Sequence, residues 1–416
     1  MNQVGSFLDH VKKIAEKYLE FLRQPDVARL FAIALLARMP IGMVGFSMLM
    51  YLREVYGNFE LAGSAVVIGF IAMAVGAPIQ GRLVDRFGPR PILRVTGVMH
   101  PLALVGILVS AKLGMPFAVT AAFSALSGFF TSPITTLTRT LWRYRFEREE
   151  DRRIAYALDA VTIEINFTLG PAIVAGLLAT IGSTQAFAIS IGVVVASFLI
   201  YLSSRALDYF KRDTTSERHL FGPLTEPRLW FVFIATFGLT LSFGLIEVGY
   251  PAFATSLALP ALGGILLAVN SIGSAVGGTL YGGMHFKTPV ERQFACAMAL
   301  MALPLIAHML FLQPTAFGIT AFFAGALIAP SIAAQNVLVS RLAPAKYATE
   351  AFMWSSTFIV SGLGCGMALG GALVENAGLR TNFATGAAVM AMMALMTLST
   401  IGASSSRKPR ASRAAP

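Results

Sequence analysis

The chain has 416 residues, of which 56% are hydrophobic and only 13% charged, with a formal net charge of +11 and a mean hydropathy of +0.70. Soluble domains carry roughly 25% charged residues, so a water-soluble globular protein is excluded. Lipid must replace water over most of the surface, and apolar runs of about 20 residues then read as transmembrane helices. A β-barrel would show short alternating segments instead, which leaves helices as the spanning structure.

Residues 1–27 lack the pattern of a cleavable signal. Phe7, Val11, Ile14, Tyr18 and Leu22 recur there at spacings of three and four, with Lys12, Lys13 and Lys17 between them. That spacing predicts an amphipathic helix suited to the inner membrane surface, with a solvated lead-in helix as the plainer reading. Twelve spans follow, at about 28–52, 62–82, 92–112, 115–141, 155–180, 184–204, 229–252, 260–283, 292–312, 315–338, 347–374 and 381–401. A hydrophilic linker at 205–228 separates a six-span unit over 28–204 from a second over 229–401. The tail at 402–416 is polar and basic, and disorder is expected there. Cys296 and Cys365 fall within spans, so no disulfide framework is indicated.

The basic charge reports topology. With the N-terminus placed inside, 28 of the 32 Lys and Arg fall on the inner side. Three, Arg53, Lys112 and Arg380, fall outside, and Arg38 lies within a span. Basic loops stay on the cytoplasmic side, so both termini are expected in the cytoplasm. No nucleic-acid partner is implied.

The chain also repeats. Gly128-Phe-Phe-Thr-Ser-Pro133 in span four matches Gly325-Ala-Leu-Ile-Ala-Pro330 in span ten at an offset of 197. Gly81-Arg-Leu-Val matches Gly278-Thr-Leu-Tyr at the same offset. Tyr156-Ala-Leu-Asp159 matches Tyr347-Ala-Thr-Glu350 at 191. Three matches in order predict two parallel six-helix bundles related by an axis along the membrane normal, with a site near mid-membrane between them.

After span two runs Gly81-Arg82-Leu83-Val84-Asp85-Arg86-Phe87-Gly88-Pro89-Arg90. It resembles the signature loop of the major facilitator superfamily, Gly-x-Leu-x-Asp-Arg-x-Gly-basic-basic. Gly81, Leu83, Asp85, Arg86, Gly88 and Arg90 fit the pattern, and Pro89 replaces a basic residue. The resemblance covers about 28–401 and implies two bundles rocking about a central cavity. Physically, Gly81 and Gly88 permit close approach and a tight turn. Asp85 can meet the positive N-terminus of a facing helix, and the resemblance makes that helix the eleventh. Arg86 and Arg90 can pair with nearby carboxylates. Such contacts exist only while one side is closed, so they bias an equilibrium between states. The second half has Gly282 where the first has Asp85, so only one gate contact of this type is expected.

Gly362, Gly366 and Gly370 form two Gly-xxx-Gly steps in span eleven, with Gly364 and Gly371 beside them, a pattern for close helix packing. Gly170-Pro171 in span five resembles the Gly-Pro motif of the family's antiporters, although Asn166, Val174 and Ala175 stand where that motif has glycines.

Ionisable residues within spans are functional candidates. Arg38 and Glu164 sit at roughly mid-depth at 1.5 Å per residue, and Glu247 lies towards the outer end of span seven. These three are the candidates for proton coupling or solute contact, with a structural ion pair as the alternative for Arg38 and Glu164. Asp159 and Glu350, matched by the repeat near the inner ends of spans five and eleven, are gate or capping candidates. His100 and His308 read as packing residues.

No nucleotide-binding loop, zinc-protease helix or nucleophile elbow is present, so an enzyme with catalytic residues is not expected. The reading is a secondary transporter, driven by a proton gradient through Glu164 or Glu247 and tilted towards efflux by the Gly-Pro match. The alternatives are an importer or uniporter, and a non-transporting sensor with a transporter fold. Expected partners are a small solute, protons and the bilayer. The chain is expected to act as a monomer in the cytoplasmic membrane, with no metal and no cofactor.

Overall fold

The computed structural model describes residue 12 and residues 16–57, 59–210, 222–284 and 286–405. Phe7, Val11 and Ile14, residues 211–221 of the linker and the tail beyond Ser405 lie outside the described residues. Among the described residues every regular element is helical. Twelve helices are long and apolar enough to cross a membrane: Val27–Tyr56, Leu61–Phe87, Pro89–Lys112, Phe117–Arg145, Glu149–Ile181, Ser183–Leu202, Pro227–Ser256, Leu262–Gly283, Val290–Leu310, Pro314–Leu342, Ala345–Ala377 and Leu379–Ser399. They are numbered here as spans one to twelve. The last continues as helix through Ser405.

Three spans are broken, and proline chemistry explains each break. A proline within a helix removes a donor and clashes with the carbonyl four residues earlier. Span one stops at Ala37 and resumes at Pro40. Span four stops at Phe129, four residues before Pro133. Span ten stops at Gly325 and resumes at Ile328, with Pro330 in its next turn. The breaks in spans four and ten fall at matching places in the repeat. Discontinuous helices of this kind line the sites of many transporters.

Small residues set the closest helix contacts. Gly362 and Gly366 bring span eleven onto the backbone of span seven at Phe237 and Leu241, and Gly370 meets Leu245. Gly170 of span five lies on Gly42 of span one, where an added Cβ would come within 2.6 Å of the Gly42 Cα. Gly364 and Gly371 meet no neighbour within 4 Å. This corrects the expectation that they add to the interface: the 3.6-residue period turns them away from the face that carries Gly362, Gly366 and Gly370.

The two bundles meet through span two against span eleven and through span five against spans eight and ten. His308 is buried and packs against both Tyr250 and Phe383, with ring centroids 5.4 and 4.9 Å away. His100 is buried with its Nδ1 at 2.8 Å from the Ser127 carbonyl.

Candidate functional site

The signature residues are helical. Span two runs unbroken to Phe87, so Gly81, Leu83, Asp85 and Arg86 lie on its last turns, and Gly88 alone makes the turn at φ 84°. Gly81 is needed for contact rather than turning. A Cβ there would lie 2.8 Å from the Glu350 Cα and 2.7 Å from the Met353 Cγ. That approach places Asp85 over the first turn of span eleven. The Thr349 N–H donates to Asp85 Oδ1 at 3.0 Å and the Glu350 N–H to Oδ2 at 2.8 Å. Both donors are orphans of a helix N-terminus, and the carboxylate satisfies them while opposing the positive end of the helix dipole.

Glu350 is fully buried and receives Arg82 Nη2 at 2.8 Å from the other half. Gly222, at φ 47°, rests against the Glu350 carboxylate, where any side chain would collide. Arg90 pairs with Asp208 at 2.7 Å in an exposed position, and Arg86 stands over the Phe87 ring at 5.1 Å. Further bonds cross the interface nearby. Arg143 donates to the Ala343 carbonyl at 2.6 Å, Arg153 to that of Met284, and Arg152 to Ser340 Oγ at 3.4 Å.

A second cluster lies inside the first bundle. Arg38 Nη2 donates to Asp159 Oδ1 at 2.7 Å, and its guanidinium also reaches Thr162 Oγ1 at 3.2 Å and the Thr135 carbonyl at 3.3 Å. Trp142 Nε1 donates to the same carboxylate oxygen at 3.0 Å. Arg139 lies 3.6 Å from the other oxygen. All three charged groups are buried, so two cations share one anion. This corrects two expectations. Arg38 engages Asp159 and not Glu164, because the two acids lie five residues apart on span five, about 140° round the helix, and Glu164 is turned to the second bundle. Asp159 is a deep ion-pair centre, not a shallow cap.

Glu164 instead faces the second bundle. Ser274 of span eight donates to its Oε1 at 2.9 Å, and Ser271 stands one turn before it on the same helix. Glu247 of span seven faces the same region from the second half. The site therefore joins Glu164 of the first half to a hydroxyl of span eight, with Glu247 of the second half facing the same region. Asn166 is held away from it, donating to the Leu35 and Thr162 carbonyls at 3.3 and 2.9 Å. Sequence reasoning missed Arg139, Trp142, Ser271 and Ser274. Arg139 carried a usable signal: although it counts among the inner-side arginines, it falls inside the predicted bounds of span four, 115–141.

The bonds between the halves thus run from Glu164 at mid-span to the basic end, where span two meets span eleven. A twelve-span protein of two bundles, sealed at one end and joined by a polar site at its centre, is built to carry a solute across a membrane. Comparison with known proteins agrees. The model of the Major Facilitator Superfamily matches residues 30–364, and the chain belongs to that family of transporters. It is 24% identical over 340 residues to the multidrug resistance protein MdtG of Yersinia enterocolitica, covering 79% of this chain and 80% of that one. The MdtG of a Rahnella species is 24% identical over 332 residues, covering 77% and 79%. Among solved structures, a bacterial homologue of the iron transporter ferroportin in its outward-facing state superposes with a TM-score of 0.75 at 12% identity, covering 90% and 99%. The Escherichia coli fucose:proton symporter gives 0.71 at 10%, covering 88% and 97%. At these identities the structural likeness speaks for the fold alone.

Proposed function

We propose that this chain is an inner-membrane efflux transporter that exchanges a small solute for protons by alternating access, caught here with its cytoplasmic side closed. The observation that carries the reading is the Asp85 carboxylate seated on the first turn of span eleven. That contact joins the halves only while the basic end is shut, so it stabilises one of two states. The basic end is the cytoplasmic one by the positive-inside bias. The names of the MdtG relatives and the Gly170-Pro171 pair support export over import.

Glu164 is the proton-linked carboxylate in this reading. It accepts from Ser274 across the interface, so rocking the halves removes a donor and changes its surroundings. A carboxylate whose hydrogen bonds differ between two states can couple protonation to the exchange between them. Glu247, facing the same region, is the second carboxylate available to a proton.

The test is transport in inverted membrane vesicles with and without an imposed proton gradient, using a panel of small apolar and cationic compounds. Gradient-driven uptake of a compound by the wild type is expected. Glu164→Gln should abolish accumulation against a gradient while retaining exchange of the solute down its own gradient. Full proton-driven accumulation by Glu164→Gln would remove Glu164 from the coupling. Gradient-independent uptake would point to a uniporter, and a panel bound but never moved to a sensor.

A further inference from the structure

The internal repeat pairs Gly81 with Gly278, Arg82 with Thr279 and Asp85 with Gly282. In the first half Asp85 holds the facing helix. In the second half position 282 has no side chain to do so. The helix that faces it, span five, begins with Glu149, Glu150 and Asp151. Gly282 faces Ala157, eight residues into that helix, where the backbone N–H groups are already bonded within the helix, so an acid at 282 would find no free helix start to hold.

The place is filled from the N-terminal segment. Residues 16–23 are helical and ride on the first half: Phe21 is buried against Phe31 and Phe146, with ring centroids 6.3 and 5.0 Å away. Lys17 Nζ pairs with Glu150 at the start of span five at 2.5 Å. From this base Tyr18 crosses the interface. Its hydroxyl donates to the Thr279 carbonyl in span eight at 2.7 Å. The same hydroxyl occupies the space above Gly282, so that even a methyl group there would collide with it.

We propose that this helix is a latch on the closed basic end: carried by the first half, it seats Tyr18 in the notch at Gly282 and supplies the inter-half contact that the second signature segment lacks. The latch rests on the alternating-access reading above and adds a gate residue to it. Asp85 and Tyr18 then hold the two pseudo-symmetric corners of one seal. Opening that end would separate Tyr18 from Thr279, because Phe21 and Lys17 keep the helix with the first half. Burial outweighs the nearby Arg153 charge and holds the Tyr18 phenol above its usual range, so the hydroxyl stays a donor.

The test uses the full-length protein in nanodiscs, with Cys296 and Cys365 replaced by alanine and Thr136→Cys as reporter. Thr136 is buried and faces Ser356 of the other half at 3.4 Å, so a thiol reagent should reach position 136 when the basic end opens. Losing one such hydrogen bond and its contact should raise the labelling rate about threefold to tenfold in Tyr18→Ala. Tyr18→Phe, which keeps the ring and so its packing, should show a smaller rise. Gly282→Ala displaces the Tyr18 hydroxyl and also sets a methyl 2.6 Å from the Ala157 Cβ, so it should label at least as fast as Tyr18→Ala, and adding Tyr18→Ala to it should raise the rate by less than Tyr18→Ala does alone. An unchanged rate in both Tyr18→Ala and Tyr18→Phe would overturn the latch, as would a double variant whose effects multiply. Asp85→Asn separates the two claims. If it labels faster while the Tyr18 variants do not, the latch fails and the Asp85 gate stands. If none labels faster, both fail.

Discussion

Asp159 sits between Arg38 and Arg139 with all three side chains buried, an unequal arrangement with unequal consequences. Removing one partner of a buried ion pair costs about 3–5 kcal/mol because the other charge is stranded. Asp159→Ala strands two cations. Arg38→Ala leaves Asp159 with Arg139 and the Trp142 N–H, a balanced pair. Thermal unfolding in detergent should therefore rank Asp159→Ala well below Arg38→Ala, and equal losses would contradict the shared-anion account. The sequence marked Arg38 and Asp159 as candidates but did not pair them. The helix begins at Glu149 and not near 155, so Asp159 stands about 15 Å from its start at 1.5 Å per residue, beyond the first turn where a cap acts. Arg38 lies at the helix break between Ala37 and Pro40, where a straight helical wheel gives the wrong direction.

The elements themselves were largely legible, because length and hydropathy decide what can cross a bilayer. The repeat was legible through glycine and proline, whose effects are on the backbone and so survive changes in the surrounding side chains. The breaks in spans four and ten follow Pro133 and Pro330 at the same offset. What hydropathy could not show is which face of a glycine-rich helix meets a neighbour. Gly366 packs on the Leu241 backbone, while Gly364, two residues away, is exposed. Gly366→Ala should force spans seven and eleven apart and destabilise the protein by about 1–3 kcal/mol. Gly364→Ala should be neutral or stabilising by up to about 1 kcal/mol, as Ala is the better helix former. Unfolding midpoints of the two variants, measured side by side, check this. Equal midpoints would mean that Gly366 is not a packing position.

At the scale of the whole molecule, the contact between the halves was legible and its asymmetry half legible. Gly81 and Asp85 announced a contact with a facing helix start, because close approach and an anion at a helix N-terminus need those residue types, and the family resemblance made that helix the eleventh. Gly282 announced that the partner contact was missing. It could not announce Tyr18, since a contact between residues 18 and 279 follows from the folded path of the chain and has no periodic signature. The central carboxylates were legible singly, as costly charges in apolar spans. That Glu164 meets Ser274 required the packing of span five against span eight. Taken together, one state of the molecule is held by Asp85 on span eleven, by Arg82 on Glu350 and by Tyr18 on span eight.

The most direct measurement of that account is the distance across the basic end between spin labels at positions 87 and 345, both exposed, one at the end of span two and one at the start of span eleven. The Asp85 contact has only to bias an equilibrium, and about 1.4 kcal/mol changes a population ratio tenfold. Pulsed dipolar spectroscopy on the wild type should show a dominant short-distance population. Asp85→Asn should transfer a substantial share to a distinct longer distance while its unfolding midpoint stays close to that of the wild type. A single distance distribution, identical in wild type and Asp85→Asn, would contradict the claim that this contact holds the closed state of an alternating transporter.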